Sequence, residues 1–215
     1  MEWLLKIPIL LFSVVMHECA HGFVAHRCGD DTARLSGRIT LNPIPHLDPF
    51  GSVLLPLLLI LSNSSFFIAW AKPVPVNPRN FRRPGRDDIL VSLSGPATNI
   101  LLAFSFTLLA ILGMLALGAV PFLGGYARAF FIMCIFGIQI NLLLAVFNLI
   151  PIPPLDGSHI LRELLPYEAA MEYEKISRFG FIILILLIMT PIFKYVFLPA
   201  QILSRLLISL ILLVA

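Results

Sequence analysis

His17-Glu18-Cys19-Ala20-His21 places two imidazoles four residues apart, inside an apolar stretch that runs from Trp3 to about Val24. On a helix this spacing leaves the two rings about 40° apart on one face, close enough to share one metal ion. Glu18 lies about 60° round from His21. That puts it beside such an ion, where a carboxylate serves as general base on a metal-bound water. Ionisable residues in a membrane helix are costly and functional by default. A water-splitting zinc site at membrane depth is suited to cleaving bonds that lie within the bilayer.

The helices that must hold these residues are membrane helices. The chain of 215 residues is 59% hydrophobic and 13% charged, more apolar surface than a soluble domain of this length can bury. A net charge of +3 is too small to point to nucleic acid. The three cysteines (Cys19, Cys28, Cys134) have no C-x-x-C spacing, so neither a thiolate zinc site nor a disulfide framework is implied. The first apolar run is not read as a cleaved leader, because it carries the metal motif. Apolar segments fall at about 3–26, 50–70, 89–119, 126–149, 178–197 and 200–214. Loop 27–49 is rich in Arg and turn residues, and loop 71–88 in Arg and Pro. The stretch 150–177 opens with Pro151-Ile152-Pro153-Pro154-Leu155-Asp156-Gly157 and continues as a mixed-charge, interfacial helix. Segment 50–70 is broken by Ser62-Asn63-Ser64-Ser65 and followed by the strand-like Phe66–Ala71. A polar break at mid-depth suits a hairpin that dips in and returns as well as it suits a span.

Two His ligands leave a catalytic zinc one protein ligand short. The candidates are Asp156, His159, His46, His26 and Asp48. Asp156 is favoured by its setting: the helix ending at Asn148 is broken by Pro151, Pro153 and Pro154, so unwound backbone lies near the membrane surface. That is tolerable only when buried in protein or lining a wet cavity. His-Glu-x-x-His in the first apolar helix, Gly95-Pro96-Ala97-Thr98-Asn99 in a later one, and Asn148-x-x-Pro151-x-Pro153-Pro154-Leu155-Asp156-Gly157 after a third together resemble the site-2 protease family of intramembrane zinc metalloproteases. The likeness covers roughly residues 13–160. It implies one zinc ion per chain held by His17, His21 and Asp156, with Glu18 as base and Asn99 and Asn148 near the substrate backbone. The chain departs from larger members in showing no extra soluble module, and in having Leu149 where many have Pro after the Asn.

Topology gives an independent constraint. His17 and His21 sit near the C-terminal end of the first helix, and Asp156 follows the C-terminal end of segment 126–149. One ion shared by all three requires those two helices to run in the same direction. Segment 50–70 then cannot be a full span if 89–119 and 126–149 are. With a re-entrant hairpin, eleven Lys and Arg residues fall on the side of the site and Lys6, Arg128 and Lys194 on the other; a full span gives nine against five. The positive-inside rule prefers the hairpin and places the site near the cytoplasmic face, about 9–15 Å below it.

The expected fold is therefore an all-α polytopic membrane protein of about five to six apolar helices, with a re-entrant hairpin between the first two full spans. Residues 1–160 are read as a membrane-embedded catalytic core. Residues 161–215 are read as an interfacial helix plus one or two C-terminal transmembrane helices. The expected activity is zinc-dependent endoproteolysis of membrane-spanning protein substrates by a multi-pass protein of the cell membrane. The partners are the substrate and the lipid bilayer, with no nucleic acid and no oligomeric state implied. The strand-like Phe66–Ala71 is expected to pair with an unwound substrate, ending at Pro73 and Pro75. Two alternatives stand beside this reading, an intramembrane metal transporter and an inactive substrate-binding homologue. A di-iron oxygenase needs more than the five histidines present.

Overall fold

The computed structural model describes residues 2–54, 70–118 and 124–214, and it contains no named strand among them. Helix α1 spans Glu2–Cys28. It stops at Gly29, whose φ of 112° is open to glycine at little cost. Gly29 N–H donates to the His26 carbonyl and Asp30 N–H to the Ala25 carbonyl, the paired bonds of a Schellman cap. One turn follows as α2, Thr32–Leu35. Helix α3 spans Pro84–Gly118 and α4 spans Gly124–Asn148. The chain then turns into α5 (Asp156–Leu164), α6 (Tyr167–Ser177), α7 (Gly180–Met189), α8 (Phe193–Val196) and α9 (Leu198–Val214).

Three helices are long and apolar enough to cross a membrane, at 4–28, 84–116 and 127–148. Helix α3 starts five residues ahead of the apolar segment beginning at 89. Pro84 suits the first helical position, and the Asp87 carboxylate accepts from Arg83 N–H. Its first turns, with Arg86, Asp87 and Asp88, are charged. Helices α7 and α9 have 10 and 17 residues, about 15 and 25 Å of rise. The stretch expected as one mixed-charge helix is two, because Pro166 forces Leu165 into extended backbone (ψ 148°) between α5 and α6.

Helices α1, α3, α4 and α9 pack around Ile9, Ala103, Phe106, Ala110, Cys134, Ile138, Leu142, Leu207 and Ile211. Small residues let the backbones close, which is what drives helix association when the surrounding solvent is as apolar as the core. Leu101, Phe104, Leu108 and Leu112 on α3 face outward, as a lipid-facing side requires. A second cluster (Ile150, Leu155, Leu184) seats α7 against the unwound link between α4 and α5.

Residues 55–69, which hold most of the expected hairpin and all but the last two residues of the strand-like Phe66–Ala71, lie outside the described residues. The two ends of that segment meet. Trp70 N–H donates to the Gly51 carbonyl at 3.2 Å, and Lys72 N–H to the His46 carbonyl at 2.9 Å. Ser52 Oγ donates to the Trp70 carbonyl, and Leu47 and Ala71 form an isolated antiparallel bridge.

Candidate active site

His17 and His21 project from the second half of α1, where their second ring nitrogens are already committed. His17 Nδ1–H donates to Asn99 Oδ1 on α3 at 2.6 Å, and His21 Nδ1–H donates to the Val91 carbonyl at 2.8 Å. The direction of the first bond follows from the Asn99 amide, whose Nδ2 is spent on Asn141 Oδ1 at 2.8 Å. Both rings therefore carry their Nε2 lone pairs toward one point. The chain of bonds continues through Asn141 Nδ2 to Ser13 Oγ and from Ser13 Oγ–H to the Ile9 carbonyl, each 2.8 Å. Ser13, Asn99 and Asn141 are completely buried, so α1, α3 and α4 are joined at depth by a satisfied polar network.

Asp156 is the first residue of α5, delivered by the proline-broken link. Its Oδ2 lies 3.2 Å from His17 Nε2 and 3.3 Å from His21 Nε2, and the two Nε2 atoms are 3.0 Å apart. Oδ2 is buried and has no hydrogen-bond partner. Two lone pairs and a carboxylate oxygen facing one another make no sense without a cation. Three ligands of a tetrahedral zinc at 2.0–2.1 Å stand about 3.3–3.4 Å apart, so the separations present fit zinc with little adjustment. Among the described residues, His17, His21 and Asp156 form the group of three with donor atoms all within 4.8 Å of one another.

Glycine makes two close approaches possible. A Cβ on Gly95 would stand 2.5 Å from both His17 Cε1 and His21 Nε2, so only glycine lets α3 pass this close to the rings. A Cβ on Gly157 would stand 2.3 Å from the Leu149 carbonyl oxygen, so α5 can seat directly on the unwound backbone that presents Asp156.

Glu18 faces a cavity of about 740 Å³ shared with the three donors. Its Oε2 accepts from Val74 N–H at 2.8 Å. Val74 stands between Pro73 and Pro75, which lack N–H groups, so that bond uses the only backbone donor of the three. Arg38 Nη2 donates to the carbonyls of Lys72 and Pro73, and pins this extended strap across the mouth of the site. The walls are largely apolar: Val14, Trp70, Leu144, Phe147, Phe181, Leu184.

Of the expected substrate contacts, Asn148 lines the cavity, with its Nδ2 on the Leu144 carbonyl; Asn99 does not line it and instead meets His17. The other candidate third ligands lie elsewhere. His46 is buried against the Thr40 carbonyl, His26 meets Asp31, and Asp48 caps the turn at 50–51. His159 lines the cavity but approaches Asp88, at 3.5 Å. Sequence reasoning misses Ser13, Asn141 and Val74. Buried polar residues on apolar helices are a signal for the first two; nothing local marks a backbone N–H such as that of Val74.

Residues 125–190 match the sequence profile of Peptidase family M50. Over 194 residues the chain is 43% identical to the Bacillus subtilis protein named "Putative zinc metalloprotease YwhC", covering 88% of this chain and 82% of that one. It is 33% identical over 192 residues to a Mycolicibacterium smegmatis protein of the same description, Rip2, covering 88% and 68%. A Methanocaldococcus jannaschii relative, MJ0611, is 40% identical over 72 residues, covering 34% and 32%. No solved structure matches the chain.

Proposed function

The chain belongs to peptidase family M50, the zinc-dependent site-2 protease family of multi-pass membrane proteins, and on that premise we propose that it is an intramembrane endopeptidase acting on membrane-embedded protein segments. One observation carries the reading: three donors, two with lone pairs set by hydrogen bonds behind them, converge in an apolar cavity between spanning helices with a carboxylate beside them. His17, His21 and Asp156 are the residues to hold one zinc ion, which when bound supplies a Lewis acid and lowers the pKa of a water to about 7.

Glu18 takes the proton from the attacking water on Oε1, while Val74 N–H keeps Oε2 in place, and delivers it to the leaving amine. Asn99 holds the His17 ring in the Nδ1–H tautomer. Asn148, at the cavity wall, is placed to hydrogen-bond an unwound substrate backbone or the developing oxyanion, a contact worth about 3 kcal/mol when well aimed. The apolar walls exclude bulk water and accept hydrophobic side chains.

The bonds joining 46–52 to 70–72 support a re-entrant course for segment 50–70, since a segment whose ends are hydrogen-bonded together leaves a membrane on the side it entered. Charge then favours a cytoplasmic location for the site. We assign residues 1–160 to the membrane-embedded catalytic core and 161–215 to a surface helix with the C-terminal apolar helices.

Glu18→Gln tests the assignment. It removes the base and no metal ligand, so the purified variant keeps wild-type zinc stoichiometry and loses cleavage of a reconstituted transmembrane substrate by at least a few hundred-fold. Retained cleavage would overturn the role of Glu18; lost zinc would make it a ligand.

A further inference from the structure

A second pocket, about 360 Å³, opens where the end of α1 meets the start of α3. It is lined by Arg27, Arg82, Arg83 and Arg86, with Cys28, Asp87 and Leu90. Four guanidiniums stand against one carboxylate, and the Asp87 carboxylate is buried and already accepts from Arg83 N–H. None of the four arginines is in an ion pair among the described residues, where Arg34, Arg162 and Lys175 all are. Like charges gathered this closely raise one another's energy, and a multivalent anion relieves all of them at once.

The surface next to the arginines says which anion. One helical turn from Arg27 into the span is Phe23, about half exposed, with the Arg27 guanidinium 5.1 Å from its ring. One turn from Arg86 into its span is Leu90, and Leu93 follows on the same outward side; both are exposed. A phosphate-sized basic pocket thus continues directly into lipid-facing apolar surface, at the depth where a span ends and headgroups begin. The junction is also rigid. Arg82 N–H donates to the Cys28 carbonyl, Phe81 packs on Ala25 and Val91, and a Cβ on Gly29 would stand 3.0 Å from the Asn80 carbonyl.

We propose that this junction binds the phosphate of an anionic phospholipid, with its acyl chains along Phe23, Leu90 and Leu93. A lipid held there clamps α1 to α3, the two helices that carry His17 and His21 and the Val91 and Asn99 groups orienting them. The ligand supports the site without entering the catalytic cavity.

Native mass spectrometry and thermal unfolding of the zinc-loaded full chain, delipidated in detergent and then offered phosphatidylglycerol or phosphatidylcholine, test this. Phosphatidylglycerol is expected to be retained at least tenfold better and to raise Tm. The variant R27Q/R83Q/R86Q is expected to lower its affinity on the order of 100-fold, at about a factor of five per arginine near the surface, with zinc content unchanged. Because these side chains are exposed, single variants Arg83→Gln and Arg86→Gln serve if the triple one misfolds; each is expected to weaken retention severalfold. Arg79→Gln, an exposed arginine on the same loop outside the pocket, is expected to leave retention as it was. Equal retention of both lipids, unchanged retention in the pocket variants, or an equal loss in Arg79→Gln overturns the proposal. A Tm rise from inorganic phosphate alone matching that from phosphatidylglycerol would assign the pocket to free phosphate and overturn the lipid source.

Discussion

Gly95→Ala adds one methyl group at the centre of the proposed zinc site. The new Cβ would lie 2.5 Å from His17 Cε1, 2.5 Å from His21 Nε2 and 2.6 Å from His17 Nε2. Non-bonded contacts of this kind settle at about 3.5 Å or more, so the rings or the helix must move by about 1 Å. Neither ring can swing aside freely, because His17 is tied to Asn99 and His21 to the Val91 carbonyl. Zinc sites tolerate about 0.2 Å in ligand distance, and the methyl would stand in the space the ion needs. Loss of an orienting partner alone costs about 10–100-fold in metal affinity; displacing the ligands themselves should cost at least the upper end of that range. Helix propensity works the other way, favouring Ala over Gly by roughly 1 kcal/mol, so a general failure to fold is not the expected cause. Zinc affinity measured by competition with a chromophoric chelator, alongside helical content from circular dichroism, separates the two effects. A variant with native helicity that binds zinc as tightly as wild type would refute the placement of the ion between these rings and α3.

Asp156→Asn should lose zinc together with activity, whereas His159→Ala, whose ring faces Asp88 rather than the donors, should keep zinc near one per chain. Metal analysis showing the reverse would move the third ligand to His159. Asp30, fully buried, holds the strap's far end by accepting from Asn77 N–H, Asn80 Nδ2 and the Thr32 hydroxyl and N–H. Burial pushes its carboxyl up, but these donors outweigh that and hold it below its usual value. Its folded pKa being the lower one, its contribution is fully present above the unfolded value of about 3.9 and is lost as pH falls through the folded one. Asp30→Ala should cost roughly 2–3 kcal/mol at neutral pH and shrink the loss of stability between pH 5 and 3 seen by thermal unfolding; an identical acid limb in both proteins would contradict this.

The parts of the site that could be read from sequence are those set by spacing along one helix or by an unavoidable break. His17 and His21 share a face because they are four apart, and Asp156 lies beyond a helix that three prolines must end. One ion shared by all three then requires the two helices to run in the same direction, which is a constraint on segment 50–70. What is not legible depends on how helices are rotated against each other. Nothing near Asn141 says that its amide will span from Asn99 to Ser13, and Asn99, grouped with the substrate contacts by family resemblance, turns to His17 because α3 approaches α1 through Gly95. The Glu18 contact is hidden for a different reason: its partner is the backbone N–H of Val74, and nothing in the sequence says which N–H of the 71–77 strap will meet the carboxylate. Arg27 and Arg82 to Arg86 are readable as a charge bias, but not as a pocket, since 54 residues separate Arg27 from Arg82.

Mapping where the enzyme cuts tests the central claim most directly. Zinc-loaded protein reconstituted into vesicles with a single-span substrate, followed by mass spectrometry of the fragments, should give a scissile bond inside the substrate's apolar segment. The bond should lie about 9–15 Å from the cytoplasmic boundary, with no such fragments from Glu18→Gln. Cuts confined to the soluble flanks, or the same intramembrane fragments from Glu18→Gln, would contradict the account.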